Sequence, residues 1–438
     1  MTALVEKANQ KKKQRVLVYP CGTEIALEIH KAAEFSTHFE LWGGSSNYDH
    51  GRYVYKRHLD NLPFISDDST EDEVKTFRKE IERYDIDYIY PATDGVLYKF
   101  SQYRSVFDSK IIAPDFNTAK IIRSKKLTYQ LLDRHIATPK IYKIDEVEYP
   151  AFIKPDVGQD STRTKKIDSK NILENISLKG MLLMEYLPGD EYTVDCFTNN
   201  NGALVYASAR CGKRVKNGIS VSSGGVSDSK FYEMADKINH YLEQRGGWFF
   251  QVKENNYGKL VLLEVASRIA GASAYARSKG INLPLLTMYL YAGHEIASVI
   301  ENKYDVVIDR ALYNSYSTNL HYDKVYVDYD DTVIFDNKVN IQLISFLYQC
   351  VNNKIPIVLI TKHSGDIFKS LEKYRLQNIF DEVIHIKPGE NKYTHINEAN
   401  AIFIDDSFGE RSQVSENCAI PVFDSHMVEV LLNPLAVE

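Results

Sequence analysis

Three strand-like segments in the last third of the chain end in side chains suited to phosphorus chemistry. Lys324-Val-Tyr-Val runs into Asp328-Tyr-Asp330-Asp331-Thr332, a D-x-D-x-T run. Ile357-Val-Leu-Ile360 ends at Thr361, and Ala401-Ile-Phe-Ile404 ends at Asp405-Asp406. A carboxylate at a strand end can attack phosphorus and form an aspartyl-phosphate. A second carboxylate two residues on, here Asp330, can protonate the leaving group and then activate water. The paired carboxylates Asp405 and Asp406 suit Mg2+, which prefers oxygen ligands and keeps several waters. One acidic strand end is ordinarily a loop; three in this order are hard to assign to loops.

A second group of candidates lies upstream. Phe152-Ile-Lys154 leads into Pro155-Asp-Val-Gly158-Gln-Asp-Ser161-Thr162. A lysine there can meet a phosphate as a point charge, while loop N–H groups and hydroxyls such as Ser161 cover the others; an ordinary turn is the alternative. In Leu183-Met-Glu185-Tyr186-Leu187-Pro-Gly189-Asp-Glu191, the strand end offers backbone groups to a planar base. Glu191 can accept hydrogen bonds from ribose hydroxyls, the alternative being a solvent-facing strand charge. Gln251 and Glu264 lie on two strands separated by the turn Asn255–Gly258. Oxygen-bearing side chains facing each other across a hairpin make a magnesium pair. Arg268 lies near enough to stabilise charge on a transferring phosphoryl group.

In this order the features of residues 15–310 resemble the ATP-grasp family, most closely its carbamoyl-phosphate-synthase-like branch. The resemblance implies that Lys125 and Lys154 are the two nucleotide-binding lysines. It makes Glu185, Tyr186 and Leu187 the adenine hinge, Glu191 the ribose carboxylate, and Gln251 and Glu264 the metal pair. Arg268 matches the arginine of the family's last metal-binding stretch, and Arg210 and Arg214 resemble basic residues near the γ-phosphate and acceptor. The implied cofactors are ATP and Mg2+, with Mn2+ as a substitute. The implied chemistry phosphorylates a small carboxylate to an acylphosphate, from which an amine-type acceptor displaces phosphate. Relatives are often dimers, so a homodimer is the corresponding expectation. There are departures: Ala266 stands where the family usually has a metal-binding asparagine, Ser267 stands in place of its proline, and the phosphate loop is poor in glycine. The lost ligand implies weaker metal affinity, a replacement ligand such as Ser267, or a nucleotide-binding relic.

Residues 322–438 resemble the haloacid-dehalogenase-like (HAD) phosphohydrolases. That resemblance implies Asp328 as nucleophile, Asp330 as general acid/base, Thr361 as the phosphate-binding hydroxyl, and a magnesium site drawn from Asp328, Asp330, Asp405 and Asp406. The family lysine is Lys392 or Lys387, with Lys392 favoured because it opens a helix-like stretch. The substrate class is a phosphomonoester. Only about 25 residues separate Thr332 from Ile357 and Thr361 from Lys387, too few for an inserted cap domain. His363 follows Thr361 closely enough to touch a phosphate, but is read as a plain surface histidine.

The elements that position these residues follow from the apolar pattern. Arg15–Pro20, Phe39–Trp42, Ile86–Tyr90 and Lys110–Ala113 alternate with helical stretches and predict a parallel sheet. Helical spacing continues through Thr118–His135. The short strands Ala151–Lys154, Met181–Glu185, Tyr192–Phe197, Ala203–Tyr206, Trp248–Val252 and Leu260–Glu264 predict an α+β segment, and a new βα alternation begins at Lys324. The pattern gives an α/β and α+β multidomain fold class; the two resemblances imply a Rossmann-like pre-ATP-grasp domain over 1–115, an ATP-grasp domain over 116–312 and a capless HAD-like doubly wound parallel sheet over 320–438.

At 438 residues the chain has room for about two to four domains. Hydrophobic residues at 44% and charged residues at 26% exclude wholesale disorder. A net charge of −6 gives no global case for nucleic acid. No apolar run reaches the roughly 18 residues of a membrane span, and no secretory segment is visible. Five scattered cysteines without a CxxC pair fit a reducing, cytoplasmic setting. The leading expectation is a bifunctional enzyme, an ADP-forming carboxylate–amine ligase joined to a phosphatase of the same pathway. The alternatives are a phosphatase with a non-ligating, ATP-binding regulatory half, for which Ala266 is the motive, and a non-catalytic ATP-binding assembly module.

Overall fold

The computed structural model describes residues 12–158, 163–216, 219–316, 318–387 and 389–432. They fall into two compact units, Met1–Tyr313 and Asn314–Glu438.

The first unit opens with the apolar run of β1 (Gln14–Tyr19), whose Val16, Leu17 and Val18 are fully buried. A strand apolar on both faces belongs inside a parallel sheet covered on both sides. It pairs in parallel with β2 (Phe39–Gly44) and β4 (Tyr88–Pro91), flanked by β3 (Arg57–Leu59) and β5 (Lys110–Ile111), in the order β3-β2-β1-β4-β5. The strand order reverses at β1, and the carboxyl ends beside such a reversal form a crevice. Helix α1 (Glu24–Ala33) starts there, capped by the Thr23 hydroxyl, and α3 (Asp94–Gln102) starts beyond β4, capped by Thr93. Between them α2 (Glu71–Ile81) carries a Thr70/Glu73 capping box.

The expected helical stretch from Thr118 to His135 is two helices, α4 (Phe116–Arg123) and α5 (Lys125–Leu132). The break is at Ser124, which adopts an extended backbone and caps Leu127 N–H with its hydroxyl. The same hydroxyl donates to Asp156 at 2.9 Å. A side chain that can bond its own backbone favours a cap over a helix interior, and here it sets Lys125 on the first turn of α5.

Two antiparallel sheets follow. β6 (Ala151–Pro155), β7 (Lys165–Ile167) and β8 (Met181–Glu185) form the smaller, ordered β7-β6-β8. The larger contains β9 (Glu191–Thr198), β10 (Leu204–Lys216), β11 (Ile219–Val226), β12 (Gly246–Glu254), β13 (Leu260–Ala266) and β14 (Val307–Asp309), ordered β13-β12-β9-β10-β11-β14. Helices α6 (Ser229–Leu242) and α7 (Leu283–Tyr291) pack on it. One hydrophobic cluster joins Val16, Val18 and Ile29 to Phe197, Ile269, Leu283 and Leu290. The segments delimited at residue 115 in the sequence therefore share a core within one unit.

The second unit is a parallel sheet of β15 (Lys324–Val327), β18 (Ile357–Thr361), β19 (Glu382–His385), β20 (Ala401–Ile404) and β21 (Val422–Phe423), in the order β19-β18-β15-β20-β21. It too reverses at its first strand, so the ends of β15, β18 and β20 meet at one crevice. Between β15 and β18 lie a hairpin of β16 (Ile334–Phe335) and β17 (Lys338–Val339) and then α8 (Ile341–Asn352). Helix α9 (Ile367–Lys373) precedes β19. No further domain is inserted among the described residues. No described helix is long and apolar enough to cross a membrane.

Two candidate active sites

The first site is a cavity of about 430 Å³ in the N-terminal unit, lined from both antiparallel sheets and from the β1 and β4 loops. Lys125, Lys154, Glu185, Tyr186, Leu187, Glu191, Arg210, Gln251, Glu264 and Arg268 all line it. Alternation along β9 puts Glu191, Thr193 and Asp195 on one face. Gln251 and Glu264 are direct cross-strand partners, and Gln251 is itself paired to Thr193. The Gln251 amide donates toward Thr193 at 3.4 Å and lies 3.5 Å from Glu191 Oε1.

The two lysines enter from opposite directions. Lys125 Nζ donates to Gly158 O at 3.1 Å and stands 3.8 Å from Glu264. Lys154 is buried on β6, with Nζ 3.0 Å from Leu263 O and 5.5 Å above the Tyr129 ring. Burial first, and then the Lys125 charge, lower its pKa to about 7 against the pull of Glu264 and Glu191. Burial likewise raises the Glu191 carboxyl above its usual range. The Glu185 carboxylate is engaged by Lys140 N–H at 3.0 Å, which leaves the strand end at Glu185–Leu187 to meet a ligand through its backbone.

Both arginines line the cavity, each engaged by a carboxylate. Arg268 is held by Asp94 at the start of α3 through two 2.7 Å hydrogen bonds. Burial tends to raise the Asp94 carboxyl, but the Arg268 guanidinium outweighs it and the net shift is downward. Arg210 is buried against Asp195 at 2.9 Å. A triphosphate entering the cavity has to compete with these two carboxylates. Ser161 lies outside the described residues, as does the side chain of Arg214.

The second site lies at the crevice of the C-terminal unit. Lys392 Nζ is 2.6 Å from both Asp328 Oδ1 and Asp405 Oδ2, and all three residues are buried. Oxygen atoms of Asp328, Asp405 and Asp406 lie within 4.8 Å of one another, close enough to share one cation. Burial first, opposed by Lys392 and aided by Asp405, raises the Asp328 carboxyl to about 7. Thr332 accepts from Asp406 N–H at 3.0 Å, and the fully buried Thr361 hydroxyl accepts from His363 N–H at 3.1 Å. Lys387, the other lysine considered, is exposed.

Asp330 is not in the cation group. It is half exposed and faces His363 Nδ1 at 2.9 and 3.0 Å. His363 is not a plain surface histidine: its Nε2 lies 3.0 Å from Ser370 Oγ and its ring meets Tyr329 edge-on at 5.2 Å. The T-x-H spacing after β18 was the available signal. Alternation past the strand end turns the third residue toward the same crevice as the first.

Residues 177–311 match a family model described as ATP-grasp in the biosynthetic pathway with Ter operon. Among solved structures, the biotin carboxylase–β,γ-ATP complex of Campylobacter jejuni matches with a TM-score of 0.56 at 14% identity, over 66% of this chain and 74% of that one. N5-carboxyaminoimidazole synthetase of Staphylococcus aureus with ADP gives 0.56 at 13%, over 69% and 83%. The L-amino acid ligase of Bacillus licheniformis gives 0.53 at 16%, over 66% and 76%. This is an ATP-grasp fold. No curated protein matches the chain in sequence, and the family match ends before the C-terminal unit begins.

Within the ATP-grasp fold the departure at β13 has a geometric consequence. Ala266 lies on the same face as Glu264 and offers no donor atom. Ser267 faces the other way, and its buried hydroxyl donates to Gln244 Oε1 at 2.6 Å. Ser267 is therefore not a replacement ligand. Ser267→Ala should leave nucleotide affinity unchanged within twofold while costing about 1–3 kcal/mol of stability through the orphaned Gln244. Parallel ADP titration and thermal melting check this. Residues missed from the sequence also line the cavity: Thr23, Glu24 and Arg310, the last paired with Glu24 at 2.7 Å.

Proposed function

We propose that the N-terminal unit is an ATP- and Mg2+-dependent, ADP-forming ligase that joins a small carboxylate to an amine-type acceptor through an acylphosphate, and that the C-terminal unit is a capless HAD-type phosphatase acting on a phosphomonoester of the same pathway. The observation that carries the first half is the convergence of Lys125, Lys154, Glu191, Gln251 and Glu264 on one cavity of an ATP-grasp fold. Solved ATP-grasp neighbours include complexes with ADP and an amino acid ligase. The second half rests on the meeting of Asp328, Asp405, Asp406 and Lys392 at the reversal point of a parallel sheet.

Oxygen donors are what magnesium requires, and both sites supply them: Gln251 and Glu264 in the first, Asp328, Asp405 and Asp406 in the second. When bound, the metal offsets phosphate charge. The chain's own groups do the rest. In the ligase, Lys125 and Lys154 hold phosphate oxygens, Glu191 accepts from the ribose, and Arg268, released from Asp94, meets the transferring phosphoryl group. The substrate carboxylate oxygen attacks the γ-phosphorus and ADP leaves; the acceptor nitrogen then attacks the acyl carbon and phosphate leaves. In the phosphatase, an Asp328 oxygen attacks phosphorus while Asp330, steadied by His363, gives a proton to the departing alcohol oxygen. Asp330 then takes a proton from the water that opens the aspartyl-phosphate.

The test measures ADP and free phosphate separately for the wild type and for Asp328→Asn, with ATP, magnesium and pools of carboxylates and amines. ADP that depends on both added substrates and survives Asp328→Asn supports the ligase. Phosphate release without ADP from any pool overturns it and favours the regulatory ATP-binding reading that Ala266 motivates. His363→Asn should lower phosphatase kcat by about 10-fold in steady-state assays on an aryl phosphate, with KM changed little.

A further inference from the structure

A third constellation lies at the carboxyl ends of β1, β2 and β3. Cys21 follows β1, Ser45 and Asp49 follow β2, and His58 lies on β3. One ligand atom each from Cys21, Asp49 and His58 lies within 4.8 Å of the others. None of these residues lines the nucleotide cavity or enters the proposed chemistry.

The arrangement is built rather than incidental. Cys21 and Ser45 are fully buried. The Ser45 hydroxyl donates to Asp49 Oδ2 at 2.7 Å and lies 3.0 Å from Cys21 Sγ and 3.3 Å from His58 Nε2. Ser45 is thus the hub that joins Cys21, Asp49 and His58. Asp49 is fixed from behind, its other oxygen accepting from Gly51 N–H at 2.9 Å. Two glycines let the loops close: a Cβ on Gly51 would stand 2.3 Å from Cys21 Sγ, and one on Gly22 would stand 2.3 Å from Asp49 Cγ. The far nitrogen of His58, Nδ1, faces Asp60 Oδ1 at 3.4 Å. A carboxylate behind the non-ligating nitrogen is how metal-bound histidines are oriented.

We propose that Cys21, Asp49 and His58 form a zinc site, with Ser45 or a water at the fourth position. The donor set decides the metal. One sulfur, one imidazole and one carboxylate suit a borderline-soft, four-coordinate ion, whereas magnesium demands six oxygens. Binding replaces the Cys21 S–H bond with a metal–sulfur bond and releases that proton to solvent. His58 binds through Nε2 while Nδ1–H donates to Asp60. The loop that carries Cys21 continues directly to Thr23 and Glu24, which line the nucleotide cavity, so the metal would fix the wall of the ligase site without touching its substrates.

The test is cobalt titration of the chelator-stripped full chain, in magnesium sufficient to fill oxygen-only sites. One equivalent of Co2+ should bring the visible bands of a four-coordinate ion and a near-ultraviolet sulfur-to-cobalt band, both erased by one equivalent of Zn2+. Cys21→Ser should lose the sulfur band, Cys418→Ser should keep it, and Asp60→Asn should weaken binding by about 10–100-fold. Absence of the sulfur band in the wild-type protein, or its persistence in Cys21→Ser, overturns the proposal and leaves a hydrogen-bonded network centred on Ser45. The wild-type spectrum decides the matter even where a variant fails to fold.

Discussion

Replacing Asp328 with asparagine is expected to lower phosphate release from an aryl phosphate by roughly 10⁴-fold or more, the scale of losing a covalent nucleophile. An amide cannot form the aspartyl-phosphate, and neither of the remaining carboxylates of the cation group can take over. Asp405 is buried, bonded to Lys392 at 2.6 Å and to Ser407 N–H at 2.8 Å. Asp406 is tied to Thr332. The fold should tolerate the change. Burial raises the Asp328 carboxyl to about 7 despite Lys392, so the charged form is the disfavoured one. Asparagine keeps the shape without the charge, and Lys392 keeps Asp405. The melting temperature should therefore stay within a few degrees of wild type, and ADP formation should not change. Undiminished phosphate release from this variant, after exclusion of a contaminating phosphatase, would remove the phosphatase from the proposal.

What the sequence disclosed was the set of residues at strand ends. Lys154, Glu185, Glu191, Gln251 and Glu264 were legible because each ends or faces a short apolar run, and strand alternation then assigns a face. Asp328, Thr361 and Asp405 were legible for the same reason. What it hid was long-range pairing. Arg268 is bound to Asp94, 174 residues away, and Arg310 to Glu24, 286 residues away; no local period encodes such contacts. Strand β10 was recognised only as Ala203–Tyr206 and β11 not at all, because Ser208–Gly225 is rich in glycine, serine and charge, which carry little strand propensity. The pairing of β11 with β14 places Val307–Asp309 inside the larger sheet, a contact that no local pattern encodes. Ser124 broke a helix that apolar spacing predicted as continuous, since capping is a hydrogen-bond effect that hydrophobic periodicity does not see.

Lys154→Met is expected to weaken ADP binding by about 10–100-fold, the scale of one charge-assisted hydrogen bond, and to reduce ADP formation by about 10³-fold, because the lost charge faces the group that gains charge during transfer. The same lysine should make nucleotide binding proton-linked. Its pKa of about 7 means that a large fraction of free protein carries a neutral amine at pH 8, and a phosphate placed beside it restores the ammonium. ADP binding should therefore take up a proton, about half an equivalent at pH 7 and nearly one at pH 9. Calorimetry in two buffers of different ionisation enthalpy reads this directly, and the uptake should vanish in Lys154→Met. The stability of the nucleotide-free protein has the matching sign. The folded pKa lies below the ordinary lysine value of 10.5, so between about pH 7 and 10.5 the unfolded chain binds more protons and stability rises with pH, being lost as pH falls toward 7. Lys154→Met removes that slope and should melt higher than wild type near pH 7, by about 2 °C or more, since a buried amine gives way to an apolar side chain. A variant that binds ADP as tightly as wild type, with proton uptake intact, would place the phosphates away from Lys154 and undo the assignment of the cavity.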